Sequence, residues 1–128
     1  MNALSYDIKS ILELDGGLDI FTYPISIGVI PEDASNCIVL IDVAGRAPQL
    51  TMDKAKYEFP SLQVKVQCTD YFDGLAQANK IVDTLHGRAH ETWNGTYYSL
   101  ITCLNGPGFF ERVRQRTIFV INFNAQRR

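Results

Sequence analysis

Ser61-Leu62-Gln63-Val64-Lys65-Val66-Gln67-Cys68, followed at once by Thr69-Asp70-Tyr71-Phe72-Asp73-Gly74-Leu75, switches its hydrophobic period in mid-phrase. Leu62, Val64, Val66 and Cys68 alternate with Ser61, Gln63, Lys65 and Gln67. Successive side chains of a strand point to opposite faces, so this alternation predicts a strand with one buried and one wet face. Asp70 then offers an N-cap and Asp73 a carboxylate in the first turn, while Phe72, Leu75, Ala76, Asn79, Val82 and Leu85 run down one side to Gly87. The spacing predicts a helix over Asp70–His86, the longest in the chain.

Upstream, Leu4, Ile8, Ile11 and Leu12 form the stripe of a half-buried helix over Ala3–Leu14, with Tyr6, Asp7, Lys9, Ser10 and Glu13 mostly off it. Asp15, Gly16 and Gly17 end it, since glycine takes the left-handed conformation past a last turn without steric penalty. Two short extended pieces follow, Asp19–Tyr23 and Ile25–Val29, kinked at Pro24. After a polar turn at Pro31–Asn36, Cys37–Val43 is apolar at every position except Asp42, the pattern of a central strand covered on both faces. Between Ala44 and Lys56 the periodicity is lost, and a long loop is expected there, of the kind that usually has a job.

Downstream, the polar stretch Gly87–Trp93 leads to Asn94-Gly95, a type I′ hairpin signal, and then to Tyr97, Tyr98, Leu100, Ile101 and Cys103, rich in strand formers. Asn105–Gly108 reads as a break, and Glu111–Asn124 as one long strand. The order helix, strands, helix, two strands predicts an α+β fold in which two main helices pack on a mostly antiparallel or mixed sheet. At 128 residues the chain fits one such domain over 1–128 with one core.

The formal charge of -2 lacks the broad positive field of non-specific nucleic-acid binding, and no apolar run approaches the roughly 18 residues of a membrane span. Membrane insertion and export lose support, and an N-terminus with acidic residues among its apolar ones does not read as a signal peptide. Cys37, Cys68 and Cys103 lack CxxC spacing and fall in strand-like stretches, so they read as reduced core thiols, which fits assembly in a cytosol.

No chemistry-bearing motif emerges. His86, His90 and Glu91 superficially resemble a metal pair, but Gly87 should end the helix between the histidines and no further ligands cluster nearby. The glycine runs lack phosphate-loop spacing, no GxSxG elbow exists, and the carboxylates are scattered. No cofactor and no enzymatic activity is expected.

Two surface features exceed what a core requires. Arg112, Arg114 and Arg116 occupy alternate positions of an extended segment and would project from one face about 7 Å apart. They read as a solvated strand end, as a contact with an acidic surface on a neighbouring subunit or, as a third option, as a contact with DNA phosphates in a channel. The loop residues Arg46, Gln49, Leu50, Met52, Asp53, Lys54, Lys56 and Tyr57, with an exposed aromatic turn at Phe109-Phe110, combine apolar tips with charge, which reads either as the composition of a protein interface or as segments that fold back onto their own core.

The layout carries more than any one residue. A helix ends near Asp15-Gly16; Ile30-Pro31-Glu32-Asp33 precedes Asn36-Cys37-Ile38-Val39-Leu40; then come Pro48, Leu50-Thr51-Met52-Asp53 and Tyr57-Glu58-Phe59-Pro60-Ser61-Leu62-Gln63-Val64. A helix with Ala76, Asn79, Ile81 and Leu85-His86-Gly87 and a closing Phe119-Val120-Ile121-Asn122-Phe123 complete the series. In this order the chain resembles the phage minor capsid or tail-completion family, whose members look like tail terminators. The resemblance implies a structural virion protein at the tail neck: a homohexameric ring, assembled in the host cytoplasm, that contacts itself, the tail tube protein and a head-completion or stopper protein. DNA would pass through its lumen. The loop after Ala44 would face the tube or a ring neighbour. Another neck position (head-tail connector or stopper) and a small-molecule or peptide-binding module are the competing readings; a deep pocket with converging polar groups would mark the latter.

Overall fold

The computed structural model describes residues 3–14, 23–29, 36–50, 56–113 and 116–127. Its elements run α1 (Leu4–Leu14), β1 (Ile25–Ile27), β2 (Cys37–Leu50), β3 (Lys56–Cys68), α2 (Tyr71–Leu85), β4 (Arg88–Trp93), β5 (Thr96–Val113) and β6 (Arg116–Arg127). The six strands form one sheet in the order β1-β2-β3-β6-β5-β4, parallel only at β1–β2. Two helices on a mixed, mainly antiparallel sheet make the fold α+β, as the sequence periodicity predicts.

The switch at Cys68–Asp70 falls where expected. Asp70 caps α2 by accepting from the Phe72 and Asp73 amides, at 3.0 and 3.3 Å. The face turned inward is offset from the predicted stripe: Gly74, Gln77, Ala78, Ile81 and Leu85 are buried, whereas Ala76 and Asn79 are exposed and Phe72 is 78% exposed. Gly74 sets this offset, because a Cβ there would lie 2.1 Å from Cys68 Sγ; only glycine lets the first turn of α2 rest on the end of β3.

Leu62, Val64, Val66 and Cys68 of β3 join Ile38 and Leu40 of β2, Phe119, Ile121 and Phe123 of β6 and Ile101 of β5 in a core beneath both helices. Each fully buried Leu, Ile or Phe contributes about 1.5–3 kcal/mol, so this layer is the main stabilising term. Ile8, Ile11 and Leu12 bring α1 into it. Asp42, the one polar position of the apolar run, caps that helix from the sheet: its carboxylate accepts from the Ser5 amide at 3.0 Å and hydroxyl at 2.6 Å. Since α1 touches both β1 and β4, at opposite edges, the sheet curls towards its helices into a half-barrel. Cys37 and Val39 are also buried, so the start of β2 is covered on both faces as predicted.

Four expectations fail downstream and upstream of that core. The expected loop Ala44–Lys56 is mostly strand: β2 continues to Leu50 and β3 begins at Lys56, with Gln49 opposite Tyr57. Register shifts at Val43/Arg46 and Arg46/Gln49 break the alternation that would have revealed it. The polar stretch Gly87–Trp93 contains the edge strand β4, whose partner is dictated by the Asn94-Gly95 turn (φ 51 and 81) rather than by hydrophobicity. Asn105–Gly108 does not end β5; the strand passes through with shifted register. Finally, Glu111–Asn124 is not one strand, because Val113 pairs with Arg116 across a hairpin.

Candidate assembly surfaces

Three surfaces stand out once the strands are in place. The first is the β2–β3 arm. Glu58 pairs with Arg127 near the end of β6, and above that level Gln49↔Tyr57 and Leu50↔Lys56 continue as a two-stranded arm beyond the sheet. Arg46, Gln49, Leu50 and Lys56 lie on its strands and Tyr57 is half-buried, while Met52, Asp53 and Lys54 fall outside the described residues. Gly45 sits at the root, where a Cβ would come within 2.0 Å of the Phe59 carbonyl oxygen.

The second is the opposite end of the sheet. Arg112 faces Thr117, which faces Cys68, and Arg116 faces Val113. Arg112 and Arg116 therefore flank a hairpin on two different strands rather than lining one face of a single strand; Arg114 lies outside the described residues. Phe109, expected in an exposed turn with Phe110, is instead within β5 opposite Phe119, and Phe110 follows it in the same strand. Nearby, Phe119 meets the ring of Tyr71 edge-on at 5.1 Å, and Tyr71 in turn meets the exposed Phe72 at 5.4 Å. Tyr71 and Phe72 escaped the sequence reading because helical periodicity assigns Phe72 to the inner stripe.

The third is the face of the sheet away from the helices. Phe59, Leu100, Thr102, Asn124, Ala125 and Gln126 line a hollow of about 220 Å³ there. Ser61 donates to Asn124 Oδ1 at 2.6 Å, so the wall holds amides and hydroxyls rather than charges.

A buried polar cluster ties these surfaces to one frame. Asp7, expected off the buried stripe, is fully buried; it accepts from Tyr98 Oη and from Asn94 Nδ2 (2.8 Å), and Arg127 Nη1 lies 3.9 Å away. Arg127 also donates to Tyr98 Oη at 3.1 Å and to Glu58 Oε2 at 3.1 Å. Burial would lower the Arg127 guanidinium, but the bonds to Tyr98 and Glu58 hold it above its ordinary value. Burial, and then the bond to Asp7, raise the Tyr98 phenol well above 10.0. A raised folded value means that this contribution is complete below the unfolded value and is lost as pH rises through the folded one. Tyr23, raised by burial and by its 3.0 Å bond to Asp73, behaves alike. Stability should thus begin to fall above pH 10.0, the ordinary tyrosine value, and Tyr98→Phe should flatten that fall. Chemical denaturation across alkaline pH would show an unchanged slope in Tyr98→Phe if the phenol is not responsible.

Among the described residues no cluster of metal-ligating side chains occurs, and no helix is long and apolar enough to cross a membrane. The thiols Cys37 and Cys68 are buried and Cys103 half-buried; all are free, and burial pushes all three upward. His86, the residue weighed as a metal ligand, accepts the Cys103 amide at Nδ1 (2.9 Å), and His90 Nδ1 lies 2.6 Å from Tyr97 Oη.

Residues 8–128 match a protein family described as bacteriophage tail terminator protein. A chain in the structure titled "Virion of native gene transfer agent (GTA) particle" shares the fold, with a TM-score of 0.75 at 17% identity, covering 98% of this chain and 94% of that one. No curated protein matches the chain.

Proposed function

Because this chain belongs to the bacteriophage tail terminator family, we propose that it forms a homohexameric ring that caps the finished tail tube, halts its growth and joins it to the head-completion or stopper protein. It is a structural tail protein of a phage and a component of the virion. The family match over almost the whole chain carries the reading. Residues 1–128 act as one domain at the tail neck, assembled in the host cytoplasm, with a fold of the terminator type and a lumen through which DNA passes.

The surfaces suit this role. A ring needs heterologous contacts that close on themselves, and a projecting arm with a charged hairpin at the other end can provide them without an active site. Arg46, Gln49, Leu50, Met52, Asp53, Lys54, Lys56 and Tyr57 would serve the arm contact, and Phe109, Phe110, Arg112, Arg114 and Arg116 the other. The hollow of about 220 Å³ falls below the roughly 300–1,000 Å³ typical of ligand pockets, which favours assembly over small-molecule binding.

Electron microscopy of tails made without this protein tests the assignment. Overlong tubes are expected; normal headless tails would instead mark a connector. Changing Arg112, Arg114 and Arg116 together to glutamate should block assembly and leave the monomer folded. Normal tail length and infectivity in that variant would remove the arginines from the interface.

A further inference from the structure

The two edges of the sheet are stepped in opposite senses. At one edge, among the described residues, β1 covers only Ile38–Leu40 of β2, and the Gly28 amide donating to the Leu40 carbonyl (2.9 Å) is the last bond. From Ile41 to Leu50, no strand among the described residues lies on that side of β2. At the other edge β4 covers Thr96–Ile101 of β5 and leaves the remainder of β5 without an outer strand among the described residues.

The registers place β4 at the level of the open part of β2. Arg88 faces Ile101, which faces Ala125; its neighbour Asn124 faces Ser61, which faces Val43. Higher up, Glu91 faces Tyr98, Tyr98 faces Arg127 and Arg127 faces Glu58, which lies between the partners of Arg46 and Gln49. Every pairing from β2 across to β4 is antiparallel, and the number of reversals leaves β4 running in the same direction as β2.

The edges also differ in protection. Exposed edges are ordinarily blunted by charges, prolines, bulges or capping groups. Past β4, the Cys103 amide is capped by His86, Pro107 has no N–H and the register shifts repeatedly. By contrast Ile41, Asp42 and Val43 keep a regular register with β3, the shifts of β2 beginning only between Val43 and Arg46; the Asp42 carboxylate is engaged by Ser5, and Val43 is 39% exposed.

We propose that β4 of a second copy adds, parallel, to the open edge of β2 at Ile41–Arg46, and that repetition of this strand addition closes the ring. The proposal rests on the ring reading above. Rotation about an axis along the strands preserves both level and direction, so edges matched in both close into a ring instead of climbing into a helix. The steps interlock as well, because β1 comes beneath the added β4, where the neighbour's β5 has no outer strand among the described residues. Main-chain hydrogen bonds supply affinity in such additions.

The test is a cysteine pair, Ala44→Cys with Ala89→Cys, in the full chain assembled on purified tail tubes, oxidised and run on a non-reducing gel. A covalent ladder reaching the whole ring is expected from the double variant, and no ladder from either single variant or the wild type. Rings visible by electron microscopy without a ladder would overturn the strand addition and leave the ring reading standing. Dimers from Ala44→Cys alone would overturn it in favour of β2 pairing with itself. Neither rings nor a ladder would overturn both readings.

Discussion

Replacing Asp7 with alanine should lower the unfolding free energy by on the order of 3–5 kcal/mol, the range for removing one partner of a buried charge cluster. Asp7 has no solvent exposure, and its loss would leave the Tyr98 hydroxyl without its acceptor in the interior, take one of two acceptors from the Asn94 amide and remove the carboxylate 3.9 Å from the Arg127 guanidinium. An unsatisfied buried donor costs about 1–3 kcal/mol, and the lost attraction to the guanidinium adds to it, so the effect exceeds the loss of the packing contacts alone. Asp7→Asn keeps a hydrogen-bond acceptor and removes the charge, and should fall between the wild type and alanine. Urea denaturation at neutral pH measures both variants. A loss below about 1 kcal/mol, the scale of an exposed ion pair, would mean that the cluster is solvated and contributes little.

In the proposed ring the cluster would matter because it joins elements far apart in sequence. Asp7 comes from α1, Asn94 from the β4–β5 turn, Tyr98 from β5, Arg127 from the end of β6 and Glu58 from the base of the arm. With this tie the arm is founded on the same frame as the first helix and the last strand. Nothing in local periodicity announces it. A carboxylate on the flank of a helical stripe reads as solvent-facing, and only the curl of the sheet brings β4 and β5 over to meet it.

What was legible follows the same division. β3, α2 and the covered start of β2 were readable because each buries a face whose period matches its geometry, and Asn94-Gly95 because its backbone demands positive φ. The arm, β4 and the lower half of β5 were not, since their pairing is set by turns and bulges while their side chains lack a regular alternation. The arginine row shows the cost of a missed turn. Counted along an unbroken strand, Arg112 and Arg116 share a face; folded back at Val113 and Arg116, they stand on neighbouring strands. The proposed interface then involves a charged hairpin end rather than a ladder on one strand.

If the chain caps tail tubes as proposed, Gly45→Val should abolish assembly on them while leaving the core intact. A Cβ at residue 45 would meet the Phe59 carbonyl oxygen at 2.0 Å and the Pro60 Cα at 3.0 Å, all backbone, so no rotamer change relieves the clash. The strands must separate or the bulge between Val43 and Arg46 must move, and either redirects everything beyond it on the arm. The core strands below Val43 keep their own ladder, Ile38↔Val66 and Leu40↔Val64, and have no reason to follow. The expected signature is therefore a thermal transition within a few degrees of the wild type, about 1–2 kcal/mol for overpacking at a site that can yield outward, together with loss of tube capping. Co-sedimentation with tail tubes and tail lengths by electron microscopy read the second part. Wild-type capping by Gly45→Val would show that the arm's direction is irrelevant to assembly, and a collapse of the melting transition would show that the arm is part of the folding core rather than an appendage to it.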